Sequence, residues 1–128
     1  MRISDVINLK GNKMSIWTHV NGSIRIDGLN YSKLPKIWKF DVPTGSEGGI
    51  EFDYKIVGVG AVLAVFNLWG DLRDYENVDE IINWIETSFK DNIIRSGIVE
   101  IDCEASDYIV LLHHYNCKWN KIKIKKEY

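Results

Sequence analysis

"LAVFNLWGDLRDYENVDEIINWIETSFK" (Leu63–Lys90) changes periodicity once, and that change decides the fold. Its first part closes the run "AVLAVFNLW" (Ala61–Trp69), which is hydrophobic at successive positions and therefore reads as a central strand covered on both faces, or on one face plus an oligomer contact. From Asn77 onward, Val78, Ile81, Ile82, Ile85 and Phe89 recur at helical spacing, so one stripe of a helix is buried. Asn77 supplies an N-cap acceptor, and Glu80 three residues later completes a capping-box arrangement. Between strand and helix stand Asp71, Arg73, Asp74 and Tyr75, either a solvated corner or a site.

Working outward, strand patterns flank this unit on both sides. In "IEFDYKIV", Ile50, Phe52, Tyr54 and Ile56 alternate with Glu51, Asp53 and Lys55, and Gly58–Gly60 reads as the turn that follows. In "SIWTHVNGSIRIDG" (Ser15–Gly28), Ile16, Thr18, Val20, Ile24 and Ile26 share one face, while Trp17, His19, Asn21, Ser23, Arg25 and Asp27 share the other. Gly22 is the expected position of a bulge. Downstream, Gly97 is expected to mark the helix exit, and "IVEIDCE" places Val99, Ile101 and Cys103 inside. "DYIVLLHHYN" returns after a turn, with Cys103 opposite Tyr108, and "KWNKIKIKK" reads as a lysine-guarded edge strand.

The order predicts an α+β fold, a mainly antiparallel sheet with one long helix on a face. A reduced ferredoxin-like sandwich accommodates it if the first helix has shrunk into Leu29–Val42. In that connector, held by Pro35 and Pro43, Trp38 and Phe40 are expected to cover an edge of the core. A length of 128 residues implies one domain, assigned to residues 14–128. Residues 1–13 read as an N-terminal extension or a translated leader, because Met14 follows a stretch that back-translates into a purine-rich element suited to ribosome binding.

Composition excludes several classes. A net charge of −2 offers no general attraction to long nucleic acid. Asp71–Asp107 carries eleven carboxylates against three basic residues, and Lys118–Tyr128 carries five lysines against one glutamate. That asymmetry is compatible with head-to-tail self-association, or with the ordinary charge unevenness of a surface. Two cysteines are too few for a disulfide framework, and the apolar run is shorter than the roughly 20 residues that cross a bilayer, so no membrane association is expected and the reducing cytosol of a bacterial cell is the expected location.

Catalytic signatures are missing. His113 and His114 are adjacent and point to opposite faces of a strand, and neither H-E-x-x-H nor C-x-x-C occurs, so no metal and no cofactor are implied. Ser46 sits in a Gly-rich turn without the G-x-S-x-G elbow, so the chain does not read as an enzyme. Binding chemistry is better represented. Trp17, Trp69 and Tyr75 are candidate stacking platforms, and Arg25 and Arg73 can pair with phosphate, alongside His19. Glu47 in "TGSEGG" and Asp71 suit a ribose diol, and the loop's backbone N–H groups could form an anion nest. The competing reading is an internal network in which Arg25 or Arg73 pairs with Asp71 or Asp74 and pins the corner ahead of the helix.

Taken together, "SIWTHVNGSIRIDG", "PTGSEGGIEFDY" and "WGDLRDYENVDEIINW" resemble a family of small uncharacterised proteins carried by phages and prophages of Gram-positive bacteria, with the likeness running from Met14 to Glu104. Relatives carry a longer segment ahead of the P-x-G-S-E-G stretch, where only Leu29–Val42 stands here. The resemblance implies a phage accessory protein. One such class acts against bacterial defence by sequestering nucleotide-derived immune signals, often as a homo-oligomer with pockets at subunit boundaries. The expectation is therefore a non-catalytic sponge for a small nucleotide-derived ligand. The alternative is a protein-interaction module, an inhibitor or assembly accessory, acting through the acidic mid-region.

Overall fold

The computed structural model describes residues 15–27, 42–59 and 62–127. The alternating segments become six strands, β1 (Trp17–Asp27), β2 (Glu51–Val59), β3 (Val62–Arg73), β4 (Ile94–Cys103), β5 (Tyr108–Tyr115) and β6 (Lys118–Lys125). The amphipathic segment becomes the helix α1 (Val78–Ser88). Every pairing is antiparallel, and the sheet order is β2-β3-β1-β4-β5-β6. Since β3 and β4 both oppose β1, they run parallel with β1 between them, and β3–α1–β4 is a split crossover. β1 and β2 stand in the same relation around β3. The expected mainly antiparallel α+β architecture is thus present, with the first four strands in the interleaved order of a reduced ferredoxin-like sheet and the β5–β6 hairpin extending one edge. The expected leader at 1–13, the connector's Trp38 and Phe40 and nearly all of its proposed shrunken helix lie outside the described residues.

One face of the sheet makes the core. Thr18, Val20, Ile24 and Ile26 of β1, Ala64, Phe66, Leu68 and Leu72 of β3, and Val99 and Ile101 of β4 are buried with Ile81, Ile82, Trp84 and Ile85 of α1. Each such aliphatic or aromatic side chain contributes roughly 1.5–3 kcal/mol on burial. Phe66 sits at the centre, stacked on Tyr54 from β2 and meeting Phe89 edge-on beyond the helix. The opposite face carries Asn21 and Arg25 of β1, Asn67 and Trp69 of β3, and Ile98 and Glu100 of β4, all exposed. Among the described residues no helix lies on that face. β3 is accordingly interior to the sheet, and the described residues cover one of its faces, where the apolar run had suggested cover on both faces or on one face plus an oligomer contact.

Three glycines depart from their expected roles. Gly22 is not a bulge, because the register runs unbroken through it on both sides. A Cβ there would stand 2.6 Å from the Ile98 carbonyl oxygen, so glycine permits the close approach of β4. Gly97 lies inside β4 rather than at the helix exit, and the Trp119 ring occupies the space where its Cβ would be. The helix ends earlier, at Ser88, where the Phe89 N–H bonds back to the Ile85 carbonyl. Gly58 also belongs to a strand, since β2 continues through Val59. The β5–β6 turn is a two-residue connection with Asn116 (φ 52°) and Cys117 (φ 61°) both left-handed, the type I′ geometry that matches strand twist.

Candidate functional site

Strand alternation delivers most of the expected site residues to the uncovered face. Trp17, His19 and Arg25 occupy odd positions of β1, and Trp69, Asp71 and Arg73 occupy odd positions of β3, with Trp17 opposite Arg73, His19 opposite Asp71 and Asn21 opposite Trp69. Glu47 joins them from the preceding loop through Arg73. Tyr75 does not. It is buried in the core, and its hydroxyl donates to Glu80 at 2.8 Å, so it offers no ring face to a ligand. Burial and the neighbouring Glu80 carboxylate hold its phenol far above the ordinary tyrosine range.

At the β1–β3 end these residues are engaged with each other. Arg73 donates from Nη1 to Glu47 at 2.6 Å and from Nε to Ser15 Oγ at 2.5 Å, with Asp74 at 3.9 Å. His19 lies between Asp71 Oδ1 at 2.5 Å on Nδ1 and Glu104 Oε2 at 3.0 Å on Nε2. The hydrogen bond to Asp71 raises the His19 pKa above its ordinary 6.5, Glu104 adds to it, and partial burial opposes both. When protonated, His19 donates from both nitrogens, and through its two carboxylate partners it ties β3 to the β4 exit. Glu104 also accepts from the Trp17 N–H at 3.0 Å. Trp69 donates its indole N–H to Glu51 at 2.9 Å and remains 40% exposed.

The "TGSEGG" loop closes on the end of β3. Ser46 N–H donates to the Arg73 carbonyl at 2.8 Å, and Arg73 N–H to the Glu47 carbonyl at 3.0 Å. Gly45 N–H is spent on Gly48 O and Ile50 N–H on Pro43 O, so these groups face the chain instead of an anion. The glycines are there for contact: a Cβ on Gly45 would meet Arg73 O at 2.3 Å, and one on Gly48 (φ +70°) would meet Asp71 O at 2.2 Å. Ser46 Oγ donates to Asp74 at 2.9 Å. The internal-network reading of the corner therefore describes Arg73, with Glu47 as its principal partner where Asp71 or Asp74 had been expected.

Arg25 stands apart. Six positions from His19 along β1, it lies about 20 Å away at the other end of the strand. No described residue pairs with it, and it lines a hollow of about 250 Å³ with Ser23, Ser96, Gly97, Ile98 and His113. A second hollow of about 480 Å³ opens beside His19, lined by Asp102, Glu104, Ile109, Lys125, Lys126 and Glu127. There Lys126 reaches Asp102 at 2.6 Å and the Cys103 carbonyl at 2.7 Å. With Lys121 on Asp79 at 3.2 Å, the basic tail meets the acidic middle within the chain.

Glu104, Ser96 and His113 were not among the binding residues expected from the sequence. Glu104 alternates outward like its neighbours, and its partner His19 is 85 residues away, so no local pattern announces it. Among the described residues no cluster of three or more histidines, cysteines or carboxylates is arranged to hold a metal, and both cysteines are free. No helix among them is long and apolar enough to cross a membrane. Comparison of the chain with protein-family models, with curated proteins and with solved structures gives no match.

Proposed function

We propose that the protein is a non-catalytic binding protein that captures a small nucleotide-derived molecule on the uncovered face of its sheet, as a phage-type accessory protein sequestering an immune signal would. The observation that carries this reading is the placement of exposed Trp69 and of Arg25, which pairs with no described residue, on that one face. The geometry narrows the roles. Arg73, Asp71 and Glu47 are committed to the corner, which leaves Trp69 and Arg25 as the principal ligand contacts. Trp69 lies opposite Asn21, four positions from Arg25, or about 13 Å along the strand. A dinucleotide-type ligand is long enough to stack a base on the indole and place a phosphate at Arg25. Stacking on an aromatic side chain supplies roughly 1–3 kcal/mol per base. Assembly as a homo-oligomer belongs to the same proposal, since a partner copy would close this open face.

Isothermal titration against cyclic dinucleotides and ADP-ribose derivatives tests it. Saturable binding that weakens in Trp69→Ala supports the reading, and indifference to the whole panel refutes it. A protein-interaction module is the second reading. Within the acidic middle, Asp71, Asp79, Asp102 and Glu104 are each paired to a basic side chain of the chain, while Glu76, Glu86, Asp91 and Glu100 are exposed to a partner. Exposed Ile98, Tyr115, Ile122 and Ile124, which alternation turns to the same uncovered face, serve it too.

A further inference from the structure

We propose that the hollow around Arg25 is an oxyanion site that takes the phosphoryl group of the ligand, with Ser23, Ser96 and His113 completing its donor set. This deepens the binding reading above and rests on it for the ligand's organic part only. The site is assembled by register. Arg25 lies directly opposite Ser96, Ser23 opposite Ile98, and Ile98 opposite His113, so two adjacent rows across β1, β4 and β5 converge on one depression. Arg25 and Ser96, opposite each other in the ladder, have Cβ atoms about 4.5–5.5 Å apart, within reach of one small anion, and Ser23 and His113 flank Ile98 in the next row.

Charge selects the ligand. The Arg73 and Arg95 guanidinium groups are each paired to carboxylates, Arg95 to Asp27 at 3.3 Å, whereas Arg25 has no partner among the described residues. Among the described residues no carboxylate lines the hollow. The nearest on β4 is Glu100, two positions beyond Ile98 and opposite Asn21 rather than Ser23. An unpaired guanidinium presents a planar fork suited to two phosphoryl oxygens, the Ser96 hydroxyl opposite it can donate to one of them, and Ser23 and His113 can donate to neighbouring phosphate oxygens or to bridging waters.

Shape agrees. The hollow's volume of about 250 Å³ is several times the roughly 30 Å³ share of a water molecule, so it admits a phosphoryl group with its first waters. Its floor is closed from the core side, where the Trp119 ring fills the space beneath Gly97. On one flank the His113 ring lies 4.9 Å from Tyr115, which is 45% exposed, and Ile98 is 48% exposed. Those surfaces would take the apolar part of a phosphate ester.

The test is a titration of inorganic pyrophosphate, and separately of ADP-ribose, into isotope-labelled protein, followed by backbone amide shifts in the unaltered chain, Arg25→Ala and Arg73→Ala. Pyrophosphate is expected to move the amides of residues 23–25, 96–98 and 113, with affinity falling at least about tenfold in Arg25→Ala and unchanged in Arg73→Ala. ADP-ribose is expected to move the same set and Trp69. Pyrophosphate shifts without any ADP-ribose response beyond them would retain the oxyanion site and refute the nucleotide reading. ADP-ribose binding that is indifferent to Arg25→Ala would overturn the site and leave the nucleotide reading standing. No response to either probe overturns both.

Discussion

Replacing Arg73 and Arg25 by alanine in separate chains should give opposite results, and the contrast follows from their surroundings. Arg73→Ala removes the bond to Glu47 at 2.6 Å and the bond to Ser15 at 2.5 Å. The Arg73 and Glu47 side chains are 39% and 62% exposed, so solvent screens the ion pair and holds it to about 0–1 kcal/mol. The more sheltered bond to Ser15 adds about 1 kcal/mol. Loss of the stem that spans the "TGSEGG" loop and the β1 entry brings the expected cost to about 1–2 kcal/mol. Arg25→Ala breaks no ion pair with a described residue and should stay within about 0.5 kcal/mol of the parent. Urea unfolding reads both, as a lowered midpoint with unchanged slope for Arg73→Ala and an unchanged curve for Arg25→Ala. A double-mutant cycle with Glu47→Gln should recover part of the Arg73 loss as coupling. Equal midpoints for the two variants, or a larger loss for Arg25→Ala, would refute the division of the face into a structural corner and a free cation.

Other perturbations probe neighbouring features. Gly48→Ala forces a Cβ to within 2.2 Å of the Asp71 carbonyl at a left-handed residue, so it should cost about 2 kcal/mol or more in unfolding free energy, well beyond Ser46→Ala. The His19 pKa is raised in the fold, so its contribution is complete below about pH 6.5, the unfolded value, and is lost as pH rises through the higher folded value. His114 acts in the opposite sense, because burial and then His113 lower its pKa. The measurement is therefore the difference in unfolding midpoint between the parent and His19→Gln across about pH 5.5–8.5, expected to shrink as pH rises. Cys117→Gly relieves a left-handed cysteine in the β5–β6 turn and should raise stability by about 0.5–1 kcal/mol, read from the same urea curves.

The elements that alternation or helical spacing announces are the ones that were legible. β1, β4 and α1 bury the faces their residues imply, because a residue's side of a strand is a local property. Strand order is not local: nothing in "SIWTHVNGSIRIDG" says that β3 and β4 will flank it, and with those neighbours come Asp71 and Glu104 on the two sides of His19. Glycine was legible as an exception but not as a role. Gly22 and Gly97 answer to close neighbours, the β4 backbone and the Trp119 ring, that sequence distance conceals. Tyr75 looked like its neighbours in a polar stretch, yet the left-handed Asp74 turns the chain, and the Tyr75 ring packs into the core beneath the capping residue Glu80. Arg25 read correctly as outward-facing, while the serines and His113 around it come from two other strands.

Native mass spectrometry of the protein purified from cells, before and after exposure to cyclic dinucleotides and ADP-ribose derivatives, separates a ligand-loaded sponge from a bare protein, since it reads subunit number and bound ligand together. The expected species is a defined assembly that carries an intact nucleotide-derived molecule, unhydrolysed, in fixed ratio to the chain. A bare species that retains nothing and takes up nothing from the panel would contradict it and leave the uncovered sheet face to a protein partner.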